Sequence, residues 1–291
     1  MDKFINRIYR KLLKLAGNRR PSSAPYISGD SFRALADHIF DETGTFDPKA
    51  VTHKSIVFAR SDMLKEYFET IHPEIAEKYI LITHNSDENI DERYRDKLDD
   101  KIIHWFAQNA MIADPRITPI PIALDNLYFS YVGDTSFFKK KREIALRNVP
   151  EKNRILYGFS VFTNPAERGP ALDSLRKVSA ADEIQGFIPF HPYIDKLMEY
   201  KFVASPPGNG IDSPRQWQGF YLNVIPVLKA NVNTDFYVSL GLPILRVEEW
   251  SELEKFTEAD LAAKYEEIMK NCNMEAIWMD YWVKRIKNEQ A

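Results

Sequence analysis

Short apolar runs alternate with helix-like stretches along this chain, and that alternation narrows its fold more than any other feature. In the first half, "SIVFA" (55–59), "KYILIT" (78–83) and "ITPIPIAL" (117–124) are separated by "SFRALADHIF" (31–40) and "DMLKEYFETI" (62–71). In the second half "ILYGFSVF" (155–162), a strand over 201–205, a helix from about 215, strands near 224–228 and 242–247, and helices to the end continue the pattern. Runs of strand length that are apolar throughout belong to strands buried on both faces, so parallel sheets with helical layers are expected. A chain of 291 residues exceeds one average domain. The polar segment "RNVPEKNR" (147–154) is the expected linker, dividing the chain into domains 1–150 and 151–291 with a cleft between them.

Composition excludes several classes of function. With 44% hydrophobic and 28% charged residues and a net charge of −3, the chain reads as an ordinary globular protein with no call for a nucleic-acid partner. The single cysteine, Cys272, rules out an intramolecular disulfide framework and a zinc site built from paired cysteines, and a reducing, cytoplasmic setting fits it best. No run reaches the ~20 apolar residues of a membrane-spanning helix. Residues 1–20, "MDKFINRIYRKLLKLAGNRR", are basic and amphipathic, with Ile5, Ile8, Leu12 and Leu15 at helical spacing. They suit either peripheral contact with an anionic membrane surface or packing on the protein's own core. Near the C-terminus, Thr257 and Asp260 fit a capping box, while Trp278, Tyr281, Trp282 and Ile286 form an aromatic stripe of core type that can pack back on the first domain.

The chemistry concentrates in "KFVASPPGNGIDSPRQWQGFYLNVIPVLK" (201–229). A strand followed by Gly208, Asn209 and Gly210 and then a helix lets backbone amides approach an anion beside a helix N-terminus. Arg215 in the first helical turn adds a permanently charged, bidentate donor, and Pro214 suits a first helical position. Asp212 is a poor phosphate ligand and caps the helix or orients the loop instead. Ser213 stands where the third glycine of a dinucleotide fingerprint belongs, which argues against a dehydrogenase. The phosphate-loop lysine, nucleophile-elbow serine and paired-histidine zinc motifs are missing. No aspartate has another two positions away, so the Asp-x-Asp metal clamp is missing too. No metal and no cofactor are therefore expected, and a leaving diphosphate must rely on arginine and helix amides.

"YKFVASPPGNGID", "PRQWQGFYLNVIPVL" and "LPILRVEEWSEL" (242–253) together resemble the C-terminal half of the exostosin-like glycosyltransferases over about 50 residues, in the same order of elements. The resemblance implies an α/β fold of two Rossmann-like domains facing across a cleft, the GT-B architecture, with the nucleotide-sugar held mainly by the C-terminal domain. It also implies inversion at the anomeric carbon, usually without a required metal. The donor is then a nucleoside diphosphate sugar, a UDP-sugar being expected, and the acceptor a glycan hydroxyl. On this resemblance Gly208, Asn209 and Gly210 lie against the donor and Arg215 holds its diphosphate. Gln218 stands where the family has a glutamate for the ribose hydroxyls, a departure that touches nucleotide preference and keeps open a binding-only relative that has lost catalysis. In "FTNPAERGPAL" (162–172), Arg168 either reaches the same diphosphate or is a solvated surface residue.

An inverting transfer also needs a base for the acceptor hydroxyl. Strand-end loops of the first half offer Asp30 in "YISGDSF" (26–32), then Asp87 and His84 in "LITHNSDEN" (81–89), in that order of preference. Each has a plain alternative. Asp30 can cap the helix expected at Ser31, His84 can be a satisfied core histidine, and Asp87 can stabilise a turn. "ALDN" (123–126) ends another strand, but chemistry gives no reason to prefer Asp125.

Overall fold

The computed structural model describes residues 20–44, 46–127 and 131–291. The chain is α/β, with two five-stranded parallel sheets. It divides into two compact units, residues 1–134 with 278–291, and residues 135–277. The division precedes α2 (Thr135–Ala145), whereas 147–154, read from sequence as the linker, runs into the first strand of the second sheet.

In the first unit the sheet order is β1 (His38–Phe40), β2 (Ile56–Arg60), β3 (Tyr79–His84), β4 (Ile102–Gln108), β5 (Ile117–Ile120). Each strand lies beside its neighbour in sequence, so the winding never reverses. Alternate residues point to opposite faces. Val57, Ala59, Tyr79, Leu81, Trp105 and Ala107 pack with Leu64, Tyr67 and Phe68 of a helical run at 61–74. On the other side α1 (Gly29–Arg33) packs on β3 and α8 (Met279–Gln290) on β4, where Phe32 meets Trp282 edge-on at 6.2 Å. The C-terminal aromatic stripe thus covers the first sheet, with Trp282 and Ile286 fully buried. The helix expected at 31–40 is short: Ser28 caps it through its side chain, it ends at Arg33, and His38–Phe40 is strand.

The second sheet has the order β10 (Leu245–Val247), β9 (Ile225–Lys229), β8 (Tyr200–Ala204), β6 (Lys152–Tyr157), β7 (Ala181–Glu183). The chain leaves β6 for β7 on one side, then returns past β6 to place β8 on the other. The direction of winding therefore reverses between β6 and β8, and the carboxyl ends of two such strands form the crevice where open α/β sheets bind ligands. Helices α3 (Pro165–Leu175) and α7 (Glu258–Asn271) contribute Ala171, Leu175, Leu261 and Tyr265 to one core layer. Trp217 and Phe220 of α5 (Pro214–Tyr221) are fully buried where that helix packs on β8 and β9, while α4 (Phe190–Leu197) precedes β8 and α6 (Val232–Ser239) follows β9. The Thr257–Asp260 capping box is present at the start of α7.

Among the described residues no helix is long and apolar enough to cross a membrane. The amphipathic stretch lies outside the described residues except for Arg20, which is buried rather than exposed to a membrane surface.

Candidate functional site

The glycine loop lies at the reversal point of the second sheet. It leaves β8 and tightens where the Gly208 N–H donates to the Gly210 carbonyl at 3.0 Å. The loop that leaves β6 lies beside it, and two arginines fasten the pair. Arg215 donates from Nη2 to the Gly158 carbonyl at 2.8 Å. Arg168 donates from Nη1 to the Ser160 carbonyl at 3.0 Å and from Nε to the Pro207 carbonyl at 2.9 Å. Asn164 caps α3 and donates from Nδ2 to the Gly208 carbonyl at 2.9 Å. The Arg168 guanidinium lies close over Gly208: a Cβ there would come within 2.9 Å of Nη2 and push on it.

These contacts leave two guanidiniums side by side on neutral carbonyls. Neither Arg168 nor Arg215 has a carboxylate partner among the described residues. Burial, and then repulsion by Arg215, lowers the Arg168 pKa from its ordinary value. Nη1 of Arg215 is buried and makes no well-formed hydrogen bond among the described residues, its polar neighbour being the buried Tyr193 hydroxyl, which the guanidinium stabilises in its charged form. Like charges held together at a cost mark a place where an anion gains on binding. Arg168 is therefore buried in this crevice rather than solvated.

The remaining residues singled out around this loop have distinct places. Asp212 is buried, accepting from Trp217 Nε1 at 2.9 Å, Tyr237 Oη at 3.1 Å and the Ser213 N–H at 2.7 Å. It orients the loop, while Ser213 supplies the cap of α5, accepting from the Arg215 N–H. Asn209 is exposed at the loop tip, and Gln218 is buried one turn beyond Arg215 on the same helix face.

The first unit holds a pocket of about 590 Å³ at the carboxyl ends of its strands, lined by Arg60, Asn85, Asp87, Gln108, Asp125 and Asn126 among others. Its floor is an amide network. Asn126 accepts from the Asp30 N–H at 2.7 Å and donates to Asn85 Oδ1 at 2.7 Å. Asn85, at φ +69°, donates from Nδ2 to Asp30 Oδ1 at 3.3 Å, and its N–H reaches Gln108 Oε1 at 3.0 Å. Gly29 is pressed against this network: a Cβ there would lie 1.8 Å from Asn85 Oδ1 and 2.4 Å from His84 Nδ1.

The three base candidates separate by exposure. Asp30 is 0% exposed and receives Arg20 through Nε at 2.9 Å and Nη2 at 2.6 Å. It sits inside the first turn of α1 and does not cap it, and with both oxygens engaged it anchors the loop. His84 is 2% exposed, and both ring nitrogens are used. Nε2 donates to the Pro121 carbonyl at 2.9 Å and Nδ1 accepts the Asn85 N–H at 2.6 Å, which fixes the neutral tautomer. Burial pushes its pKa down to about 4, assisted by the Arg20 charge. Asp87 is exposed on the pocket wall.

Sequence reasoning missed Gln108 and the roles of Arg20, Asn85 and Asn126, which it met only as members of the basic stretch, of "LITHNSDEN" and of "ALDN", because their partners are distant along the chain. It also missed Asn164, although asparagine before the proline of "NPAER" is a local helix-start signal. Comparison with protein-family models and with curated proteins returns no match for this chain.

Proposed function

We propose that this protein is an inverting glycosyltransferase, a hexosyl- or pentosyltransferase of glycan biosynthesis, that moves a sugar from a nucleoside diphosphate, UDP being the expected one, to a hydroxyl of a glycan acceptor. The Arg168–Arg215 pair at the strand-order reversal carries this reading, supported by the exostosin-like order of motifs around it. In the transfer, the acceptor oxygen bonds to the anomeric carbon as the bond to the diphosphate breaks, and the diphosphate leaves with the electron pair. The two guanidiniums offset the charge that develops there, the task a divalent metal performs in Asp-x-Asp enzymes. The acceptor proton goes to Asp87, the exposed carboxylate of the three candidates, while Asp30 positions the loop. Two Rossmann-like domains facing across a cleft, and a cytoplasmic location with peripheral membrane contact through the N-terminal basic stretch short of the buried Arg20, belong to the same proposal.

A donor screen tests the reading, with hydrolysis and transfer of nucleotide-sugars measured with and without a chelator. Turnover should survive chelation, and Arg215→Ala should lower it by about 100-fold, as loss of one preorganised charge-stabilising donor does. Unchanged turnover in both Arg215→Ala and Arg168→Ala would sink the proposal. The burial of Asp30 and His84 favours one second reading, a nucleotide-sugar-binding relative without turnover, for which donors bind but no donor and acceptor pair reacts.

A further inference from the structure

Phe162 is 95% exposed and Phe187 84% exposed, whereas Phe138, Phe202 and Phe220 of the same unit are fully buried. Single exposed apolar residues are ordinary. Two phenyl rings on adjoining loops at the carboxyl edge of a sheet, beside an uncompensated pair of guanidiniums, form a pattern that calls for a ligand.

Strand pairing puts the two loops side by side. β6 and β7 are parallel, with Tyr157 opposite Glu183. The Ile184 N–H donates to the Tyr157 carbonyl at 2.7 Å, and a Cβ on Gly158 would lie 2.7 Å from Ile184 Cβ. The loop after β6 then runs along the anion crevice. Gly158 gives its carbonyl to Arg215, the Phe159 ring lies 5.8 Å from the Arg168 guanidinium, and Ser160 gives its carbonyl to Arg168. Phe162 follows two residues later, its Cα within about 7 Å of that of Ser160. On the neighbouring loop the chain turns at Gly186, φ +69°, and presents Phe187.

We propose that Phe162 and Phe187 form the stacking platform for the planar base of the nucleoside diphosphate whose phosphates Arg168 and Arg215 hold. The inference rests on the donor-site reading above and adds the part of the ligand that an arginine pair cannot select. A nucleotide carries an aromatic plane one ribose away from its diphosphate, and the loop that gives the Ser160 carbonyl to Arg168 carries the exposed Phe162 ring two residues further on. Every base has a π-face, so the platform favours nucleotides over bare pyrophosphate, and the hydrogen bonds around it choose among bases.

Calorimetric titration with uridine, adenosine and guanosine diphosphates and with inorganic pyrophosphate tests this directly. In the wild type, at least one nucleotide should bind more tightly than pyrophosphate. Phe162→Ala and Phe187→Ala should each weaken that nucleotide by about tenfold, the scale of one lost base–ring stack, while pyrophosphate affinity and melting temperature stay unchanged. Phe162→Trp should keep nucleotide affinity. A Phe162→Ala/Phe187→Ala double variant that binds the nucleotide as tightly as wild type, with pyrophosphate binding still abolished by Arg215→Ala, would overturn the platform and leave the anion site standing. Failure of the wild type to bind pyrophosphate or any of the nucleotides would overturn the anion site itself, and the platform with it.

Discussion

Replacing Asp30 by Asn distinguishes an anchor from a general base. The Asp30 carboxylate has no exposure and takes three contacts from Arg20, at 2.6, 2.9 and 3.1 Å, with Asn85 Nδ2 at 3.3 Å. Asn keeps one acceptor oxygen, loses the charge, and turns an NH₂ group toward a buried guanidinium. Removing one partner of a buried ion pair costs about 3–5 kcal/mol. Arg20 retains Glu42 and, at 3.8 Å, Asp41, so the lower end applies. A loss of ~3 kcal/mol in a unit of about 150 residues lowers its melting temperature by roughly 6–12 °C. Calorimetric melting at neutral pH measures this. Adding Arg20→Met completes a double-mutant cycle whose coupling should reach about 2 kcal/mol. If Asp30→Asn melts at the wild-type temperature while turnover falls by two or more orders of magnitude (~100-fold), the anchor argument is wrong and Asp30 is the base.

Two further perturbations probe the same pocket. The ordinary pKa of His84 is 6.5 and burial lowers it to about 4, so on acidification the unfolded chain binds this proton before the folded one does. Its contribution is complete above pH 6.5 and is lost as pH falls toward 4, by at most ~3 kcal/mol. Urea unfolding across that range should show a shallower pH dependence for His84→Gln than for wild type, and parallel curves would contradict the assignment. Gly29→Ala removes the space that lets α1 touch the strand-end loop. It should destabilise the protein by ~1–3 kcal/mol in denaturant melts despite the better helix propensity of alanine, and wild-type stability would show that Asn85 yields easily.

Much of the fold is legible because its central strands are buried on both faces. "YILIT" and "IVFA" are apolar throughout, and only a parallel interior strand of that length needs to be. Strands that break this rule were harder to see. β4 carries His104, paired with Thr118 at 2.8 Å, and Gln108, paired with the Asn85 N–H, so polar residues with satisfied partners interrupt its pattern. The first half of β6 reads as polar linker because Arg154 lies on the strand and pairs with Asp182 and Glu258. Edge strands β1 and β7 have three residues each and are half-buried, too short to show a period.

The site divides along a different line, the sequence distance between a side chain and the groups that determine its state. Gly208, Asn209, Gly210 and Arg215 lie within one loop and one helical turn, so local spacing is enough to group them. Asp212 shows the transition. Its neighbour Ser213 takes the cap, but the loop-orienting role becomes visible only through Trp217, five residues on, and Tyr237, twenty-five residues on. For Asp30 and Asp87, position at a strand end makes both plausible bases, and nothing local separates them. What separates them is Arg20 on Asp30, supplied by a basic stretch that reads on its own as a membrane contact. A carboxylate acts as a base only if a proton can reach it, and access is a property of the folded neighbourhood. The arginine pair is the converse case. Two cations without carboxylate partners gain meaning only when the strand order brings Arg168 beside Arg215 at the crevice, and that juxtaposition is what makes the glycine-rich loop a candidate anion site.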